Sequence, residues 1–121
     1  MPAEMQGRRI LLPDGYGSGK IGPYWLLTNA GDYCGPDKGE YTGGIPAVHF
    51  LLPIAADADD DPKWGRSQGA GLHHVQSPPH TFREEPDGTL TIRNSIGAGP
   101  PPYYWHGFLT EGRWELSPSK P

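Results

Sequence analysis

The residues of this chain best suited to chemistry are four histidines. His73, His74 and His80 lie close together in the sequence, and His106 lies on a predicted strand that can pair nearby. Three neutral imidazoles that converge on Zn²⁺ and leave a fourth position for water make a hydrolytic or hydration catalyst. These four histidines are therefore candidate metal ligands, with zinc as the candidate cofactor; the alternative is a protein without a cofactor.

The spacing of the histidines also supports a simpler interpretation. No two of the four have the i, i+4 spacing of a helical metal site, and adjacent residues on a strand point to opposite faces. In this alternative His73 and His74 lie in a solvated loop, and the other two cap or pair within a sheet. His49 stands between two apolar residues, which is typical of a strand residue rather than a metal ligand.

The other residues that could form a catalytic motif do not have the spacing that the motif requires. Glu84 or Glu85 would serve a zinc site as general base, but adjacent carboxyl groups beside a turn are expected to be solvated and do not form a glycosidase acid pair. The run Gly15 to Lys20 has glycines like those of a phosphate-binding loop, yet Ile21 follows the lysine and Pro23 prevents the required helix. No catalytic residue is assigned.

The acidic run and the single cysteine also favour structural roles. Residues 57–61 begin like a calcium loop, but Pro62 and Gln68 stand where that loop needs Gly and a bidentate Glu. With Cys34 alone, an internal disulfide is excluded. Neighbouring aspartates would raise the pKa of the Cys34 thiol, so we expect a small buried residue or a loop thiol rather than a reactive one.

Aromatic side chains are the second kind of candidate. Tyr103, Tyr104 and Trp105 would form a flat stacking surface for a sugar, a base or a partner protein, unless they form the core. Trp64 and Arg66, in a long loop, complete the predicted binding surface. A nucleotide-binding role would further require Arg66, Arg83 or Arg93 to converge on phosphate.

Charge and hydropathy limit the kinds of partner that the chain can bind. The net charge of −4 and the scattered basic residues argue against nucleic acid as a partner. The apolar runs are too short for a signal peptide or a membrane span. We therefore expect a soluble protein without a membrane partner, located in the cytoplasm, or in a virion if it is a structural component of a phage.

The elements that must position these residues are short strands. Glycine and proline contribute 18 and 15 of the 121 residues, yet four Trp, six Tyr and three Phe can build an aromatic core. The predicted fold is mostly β: a small, loop-rich antiparallel sheet or sandwich, or a partly open barrel, with little or no helix. Predicted strands are Arg9 to Leu12, Tyr24 to Thr28, Ala47 to Leu52, His80 to Glu84, Thr89 to Ile96, Tyr103 to Thr110, and Arg113 to Leu116.

The chain is predicted to be a single domain over residues 1–121. Its first part, 1–45, is rich in loops. Its last part, 79–117, is predicted to form an antiparallel meander with turns at Pro86–Gly88 and Thr110–Gly112. Loops 15–23, 34–44 and 56–71 lack a periodic pattern, and long loops of this kind often carry function. Any interaction surface is expected there.

The pattern between His80 and Trp114 resembles a known group of proteins. Its residues are Thr81-Phe82, Asp87-Gly88, Ser95-Ile96, Trp105-His106-Gly107-Phe108 and Glu111-Gly112. The same order occurs in small uncharacterised β domains of actinobacterial phages and bacterial operons, although this chain lacks the metal-ligating cysteines of many such domains. The resemblance implies an accessory protein of phage or bacterial origin and supplies no catalytic residue.

These observations favour a non-enzymatic β module. Its partner would be another protein or a second copy of the chain, in a virion or in a host-interaction or anti-defence role, since self-association would cover open sheet edges. One alternative is a small zinc-dependent enzyme. Another is a module that sequesters a nucleotide or other small ligand.

Overall fold

The computed structural model describes residues 4–19, 21–53, 72–98 and 105–116. Within these ranges the chain forms two β-sheets and one helical turn, α1 (Pro23–Leu26). The strands are β1 (Glu4–Gln6), β2 (Arg8–Ile10), β3 (Asp32–Cys34), β4 (Ala47–Leu51), β5 (Leu72–Gln76), β6 (Thr81–Glu84), β7 (Leu90–Ala98), β8 (Trp105–Thr110) and β9 (Arg113–Leu116). The prediction of a mostly β fold with little helix is confirmed.

The first sheet contains the carboxy-terminal strands. Its order is β1-β9-β8-β7-β6, and every neighbouring pair is antiparallel. Successive partners across the sheet are Met5, Trp114, Leu109, Ile92 and Phe82. Because directly paired residues share a face, this row of apolar side chains gives the sheet one buried side.

The second sheet contains four of the amino-proximal strands. Its order is β2-β3-β4-β5, with β2 and β3 parallel and the other pairs antiparallel. Every residue of β4 is buried. Because side chains alternate along a strand, Val48 and Phe50 face the first sheet, whereas His49 and Leu51 face the opposite side.

The two sheets pack face to face around a shared core. One cluster joins Tyr33, Val48, Phe50, Leu52 and Val75 of the second sheet and its continuation to Leu90, Ile92, Ile96, Leu109 and Trp114 of the first. A smaller cluster, with Leu27, Cys34 and Leu51 at its centre, lies on the other side of the second sheet. The second sheet is therefore covered on both faces, which explains the complete burial of β4.

Most predicted strands are present, with shifted ends. The strand predicted at Tyr24 to Thr28 is wrong: α1 begins at Pro23, whose restricted φ suits the first helical position, after the extended residue Gly22. The loop assignment for His73 and His74 is also wrong, since both lie in β5. Pairing of β5 along the whole of β4 supplies the ladder that local sequence does not signal.

Several predicted features lie outside the described residues. They include the acidic run 57–61 and four residues of the predicted binding surface: Trp64, Arg66, Tyr103 and Tyr104. Trp105 is described only as the first residue of β8. In the described part of the chain, no helix is long and apolar enough to cross a membrane.

Candidate ligand-binding cavity

The four histidines predicted as metal ligands lie on different elements. His73 and His74 point to opposite faces of β5, where they pair with Phe50 and His49. His80 follows β5, and its Nε2 lies 3.1 Å from the carbonyl oxygen of Ser95. His106 is on β8 in the other sheet.

The structure does not bring the four predicted histidines together. One of them, His74, lies beside His49, which was not among the four. Across the described ranges, no three His, Cys, Asp or Glu side chains are grouped so that they could hold one metal ion. The zinc site stays a prediction. The pair that does form, His49 with His74, includes the histidine that the sequence pattern assigned to a strand without a ligand role.

A cavity of about 340 Å³ opens beside this histidine pair. It is lined by Tyr24 and Trp25 of α1 and by His49, His73 and His74 of the second sheet. Tyr41, from the loop between β3 and β4, also lines the cavity. Two of the three loops expected to carry an interaction surface therefore contribute to it.

Tyr24 and Trp25 form an exposed aromatic wall. Their rings meet edge to face at 5.9 Å, yet Tyr24 is 67% exposed and Trp25 is 70% exposed. Adjacent large aromatic side chains left in solvent are unusual on the surface of a monomer and often mark a binding site. The sequence interpretation missed them because it placed both in a strand.

The second sheet contributes His49 and His74 to the lining of the cavity. These residues are direct partners on β4 and β5, and their ring centroids lie 5.3 Å apart with planes inclined by 37°. His49 is 5% exposed, whereas His74 is exposed. The Tyr41 ring meets His49 edge-on at 6.3 Å, and its hydroxyl donates to the carbonyl of Ile21 at 2.9 Å.

Asp37 lies beneath His49. Its Oδ1 accepts hydrogen bonds from the backbone N–H groups of Gly39 at 2.8 Å and Ala47 at 3.2 Å. Its Oδ2 accepts one from the Tyr16 hydroxyl at 2.8 Å. His49 Nδ1 lies 3.6 Å from that same Oδ2, and it has no hydrogen-bond partner among the described residues. The carboxyl group is thus held on three sides and presents its remaining side to the imidazole.

Burial controls the protonation of these groups. It lowers the pKa of His49, and His74 lowers it further, while Asp37 acts in the opposite direction. Burial and the hydrogen bond to Asp37 both raise the pKa of Tyr16, so the phenol remains a donor. Burial, helped by Asp37, raises the pKa of Cys34 to about 12. An unreactive Cys34 thiol is therefore what the structure supports, as expected from the sequence.

The two candidate general bases have structural partners away from the cavity. Glu84 forms an ion pair with Arg9 at 2.8 Å. Glu85 is buried, where it pairs with Arg83 at 2.9 Å and accepts a hydrogen bond from Thr91. The expectation that Glu85 is solvated is wrong, because the hairpin between β6 and β7 folds its carboxyl group against Thr91.

The fold and the cavity together define a two-sheet β protein with an aromatic and histidine-lined site on the outer side of its second sheet. Comparison of the chain with protein-family models, curated proteins and solved structures finds no match. The one sequence signal for the cavity is the pattern of AVHFL at 47–51, which places a histidine among apolar residues in a buried strand.

Proposed function

We propose that this protein is a non-enzymatic binding module and that its ligand is a small planar aromatic molecule held in the cavity beside α1. The observation that carries the proposal is the set of rings that line one cavity. The exposed rings of Trp25 and Tyr24 line it together with the inclined rings of His49 and His74.

The size and lining of the cavity support a small ligand. Small-molecule sites are typically concave, mainly apolar, and about 300 to 1,000 Å³ in volume. At about 340 Å³, this cavity suits a ligand of one or two fused rings. Flat aromatic groups stack on such walls in offset or edge-to-face geometry and gain roughly 0.5 to 1.5 kcal/mol per ring pair beyond burial.

The proposal combines two interpretations of the sequence. It keeps the favoured non-enzymatic binding module, and it takes the small ligand of the last alternative as what this module binds. Among the described residues that line the cavity, none is Arg or Lys. Arg83, one of the arginines considered for phosphate, is paired with Glu85. The rings that line the cavity support recognition of a flat aromatic part of the ligand. A protein partner, self-association, a phage origin and a zinc-dependent activity stay predictions.

Indole is a suitable probe because it is planar, bicyclic and uncharged across the working pH range. We expect the ¹H–¹⁵N amide signals of residues 22, 24–26, 41 and 72–74 to shift on titration. The expected Kd is on the order of 1 mM, because a ligand with so few non-hydrogen atoms makes few contacts. Trp25→Ala should weaken binding by about 5-fold or more, since base-to-aromatic stacking contributes roughly 1 to 3 kcal/mol.

Phe108→Ala is the matched control. Phe108 is also an exposed aromatic side chain, but it lies on β8 in the first sheet, so its removal should leave the indole affinity unchanged. Shifts confined to another surface, equal losses in both variants, or no shift at about ten times the expected Kd would each contradict the proposal.

A further inference from the structure

The orientation of His49 gives the cavity a directional polar group. Its Nδ1 edge faces Asp37, and Nε2 lies on the opposite edge of the imidazole ring. His49 also lines the cavity, and since Nδ1 is directed at Asp37, Nε2 is the ring nitrogen that a ligand would meet. A nearly buried histidine in such a position contributes hydrogen bonding as well as ring surface.

Asp37 favours one tautomer of this imidazole through the nearness of its carboxyl group rather than through a formed hydrogen bond. A neutral histidine carries one proton, on either Nδ1 or Nε2. With the proton on Nδ1, the N–H group points toward Oδ2; with the proton on Nε2, a lone pair would face the same oxygen. Carboxyl groups orient histidines in this way at many metal and catalytic sites. The 3.6 Å separation leaves room for the contact to tighten when a ligand binds.

Asp37 cannot easily turn away from His49. Three donors hold its two oxygens: the Tyr16 hydroxyl and the N–H groups of Gly39 and Ala47. Burial of His49 lowers its pKa, which keeps the ring neutral at neutral pH, as a tautomer preference requires. Asp37 therefore acts as a positioning residue, and His49 is the group that would contact the ligand.

We infer that His49 is the specificity-determining residue of the cavity and that it accepts a hydrogen bond at Nε2 from an N–H group of the ligand. This inference rests on the proposed function. The ligand class narrows accordingly, from planar aromatic molecules in general to heteroaromatic rings that carry a ring N–H, such as indoles and nucleobases. An isosteric ring without a donor would leave the buried acceptor without a partner.

Indole and benzofuran test this inference as a matched pair. They have the same shape, but benzofuran has an oxygen where indole has its N–H group. In the wild-type protein, indole should bind about 3- to 10-fold more tightly than benzofuran, the range expected for one neutral hydrogen bond. In His49→Phe, which keeps a ring but removes the acceptor, the two affinities should become equal.

The tautomer can be measured without any variant. ¹⁵N chemical shifts of the His49 imidazole should show a protonated Nδ1 and an unprotonated Nε2 in the wild-type protein. Asp37→Asn should shift this balance, because an amide NH₂ can donate to Nδ1, and should reduce the preference for indole over benzofuran. A role of Asp37 in folding alone would lower stability without changing the ratio of the two affinities.

The outcomes separate the inference from the proposed function. Equal affinities of wild-type protein for indole and benzofuran, both weakened by Trp25→Ala, would overturn the role of His49 and leave the aromatic site standing. An unprotonated Nδ1 in wild-type protein would also overturn it. If neither molecule binds, the proposed function fails, and the inference fails with it.

Discussion

Asp32 and Asp37, on either side of Cys34, are buried carboxyl groups that organise the loops around them. Asp32 accepts hydrogen bonds from Arg8 at 2.8 Å and from the backbone N–H groups of Thr28 and Asn29 at 3.1 and 3.0 Å. Asp37 accepts hydrogen bonds from the Tyr16 hydroxyl and from the backbone N–H group of Gly39 in its own loop. Buried carboxyl groups are stable only with such donors, because desolvation is otherwise costly.

Asp32→Asn should destabilise the protein by about 2 kcal/mol at pH 7, since the amide leaves donors without an acceptor. Burial by itself raises the pKa of Asp32, but the hydrogen bonds from Arg8 and the backbone outweigh it, so the pKa lies below its usual 3.8. The folded state therefore gains stability from the charged form above about pH 4 and loses it as the pH falls further.

Urea unfolding at several pH values would measure this effect. The gap between wild-type protein and Asp32→Asn should be widest near neutral pH and should narrow below about pH 4. Asp14→Asn, at an exposed position, should remain within about 0.5 kcal/mol of wild type throughout. A gap that is constant with pH would show that the carboxyl charge is not the cause.

At the scale of elements, the connection between β3 and β4 links the core to the cavity. This connection contains Asp37 at its start and Tyr41 near its middle, and it folds back on itself through Gly39. Thr42 and Gly44 both donate backbone hydrogen bonds to the Gly39 carbonyl, at 3.1 and 2.9 Å. The compact turn places Tyr41 against His49.

Gly39→Ala should disrupt this turn. Gly39 has φ of +85°, and an added Cβ would lie 2.4 Å from the backbone of Gly44 and Ile45. Gly43 also has a positive φ, of +72°, but a Cβ there meets nothing within 4 Å. Gly43→Ala should cost about 1 kcal/mol, and Gly39→Ala should cost at least about 2 kcal/mol more, because backbone atoms must move.

Denaturant unfolding of the two alanine variants would compare these costs, and titration with indole would compare their cavities. Gly39→Ala should weaken indole binding because it displaces Tyr41, whereas Gly43→Ala should preserve it. Similar stability losses in both variants would mean that the close approach at Gly39 has no energetic weight.

For the whole molecule, the shared core couples the two sheets. Trp114 of the first sheet packs against Phe50 of the second at 5.1 Å, and its indole N–H donates to the Gly31 carbonyl at 2.8 Å. The cavity lies on the far side of the second sheet from this contact. Its walls therefore depend on a sheet whose inner face is covered by the carboxy-terminal strands.

Leu109→Ala should destabilise both sheets together. Leu109 is fully buried in the first sheet. Its truncation to alanine should lower the free energy of unfolding by about 2 to 5 kcal/mol, as is typical of a buried leucine. Because one core serves both sheets, amide exchange should accelerate at Val48 as well as at Ile92. Leu11→Ala, at a residue that is 74% exposed, should change neither. Faster exchange confined to Ile92 would show that the sheets unfold independently.

Much of the first sheet could be predicted from local sequence. Leu90 and Ile92 alternate with polar residues, and Pro86–Gly88 supplies a turn, so the strands around it follow from side-chain alternation and backbone preference alone. The limits predicted for β9 are those observed. Strands β1, β3 and β5 were missed because their pairing depends on partner strands that local sequence does not indicate. In β1, for example, Met5 lies opposite Trp114, more than a hundred positions away.

The sequence alone determined that this chain forms short strands rich in aromatic and β-branched residues, with turns at glycine and proline, because these preferences act over a few residues. The cavity was decided only by the tertiary structure. Its parts come from α1, the connection after β3, and the paired strands β4 and β5. Alternation along β4 turns His49 away from the core, and His49 lines a cavity only because these elements meet on the outer face of the sheet. Which side chains meet across such distances depends on packing, which local patterns do not encode.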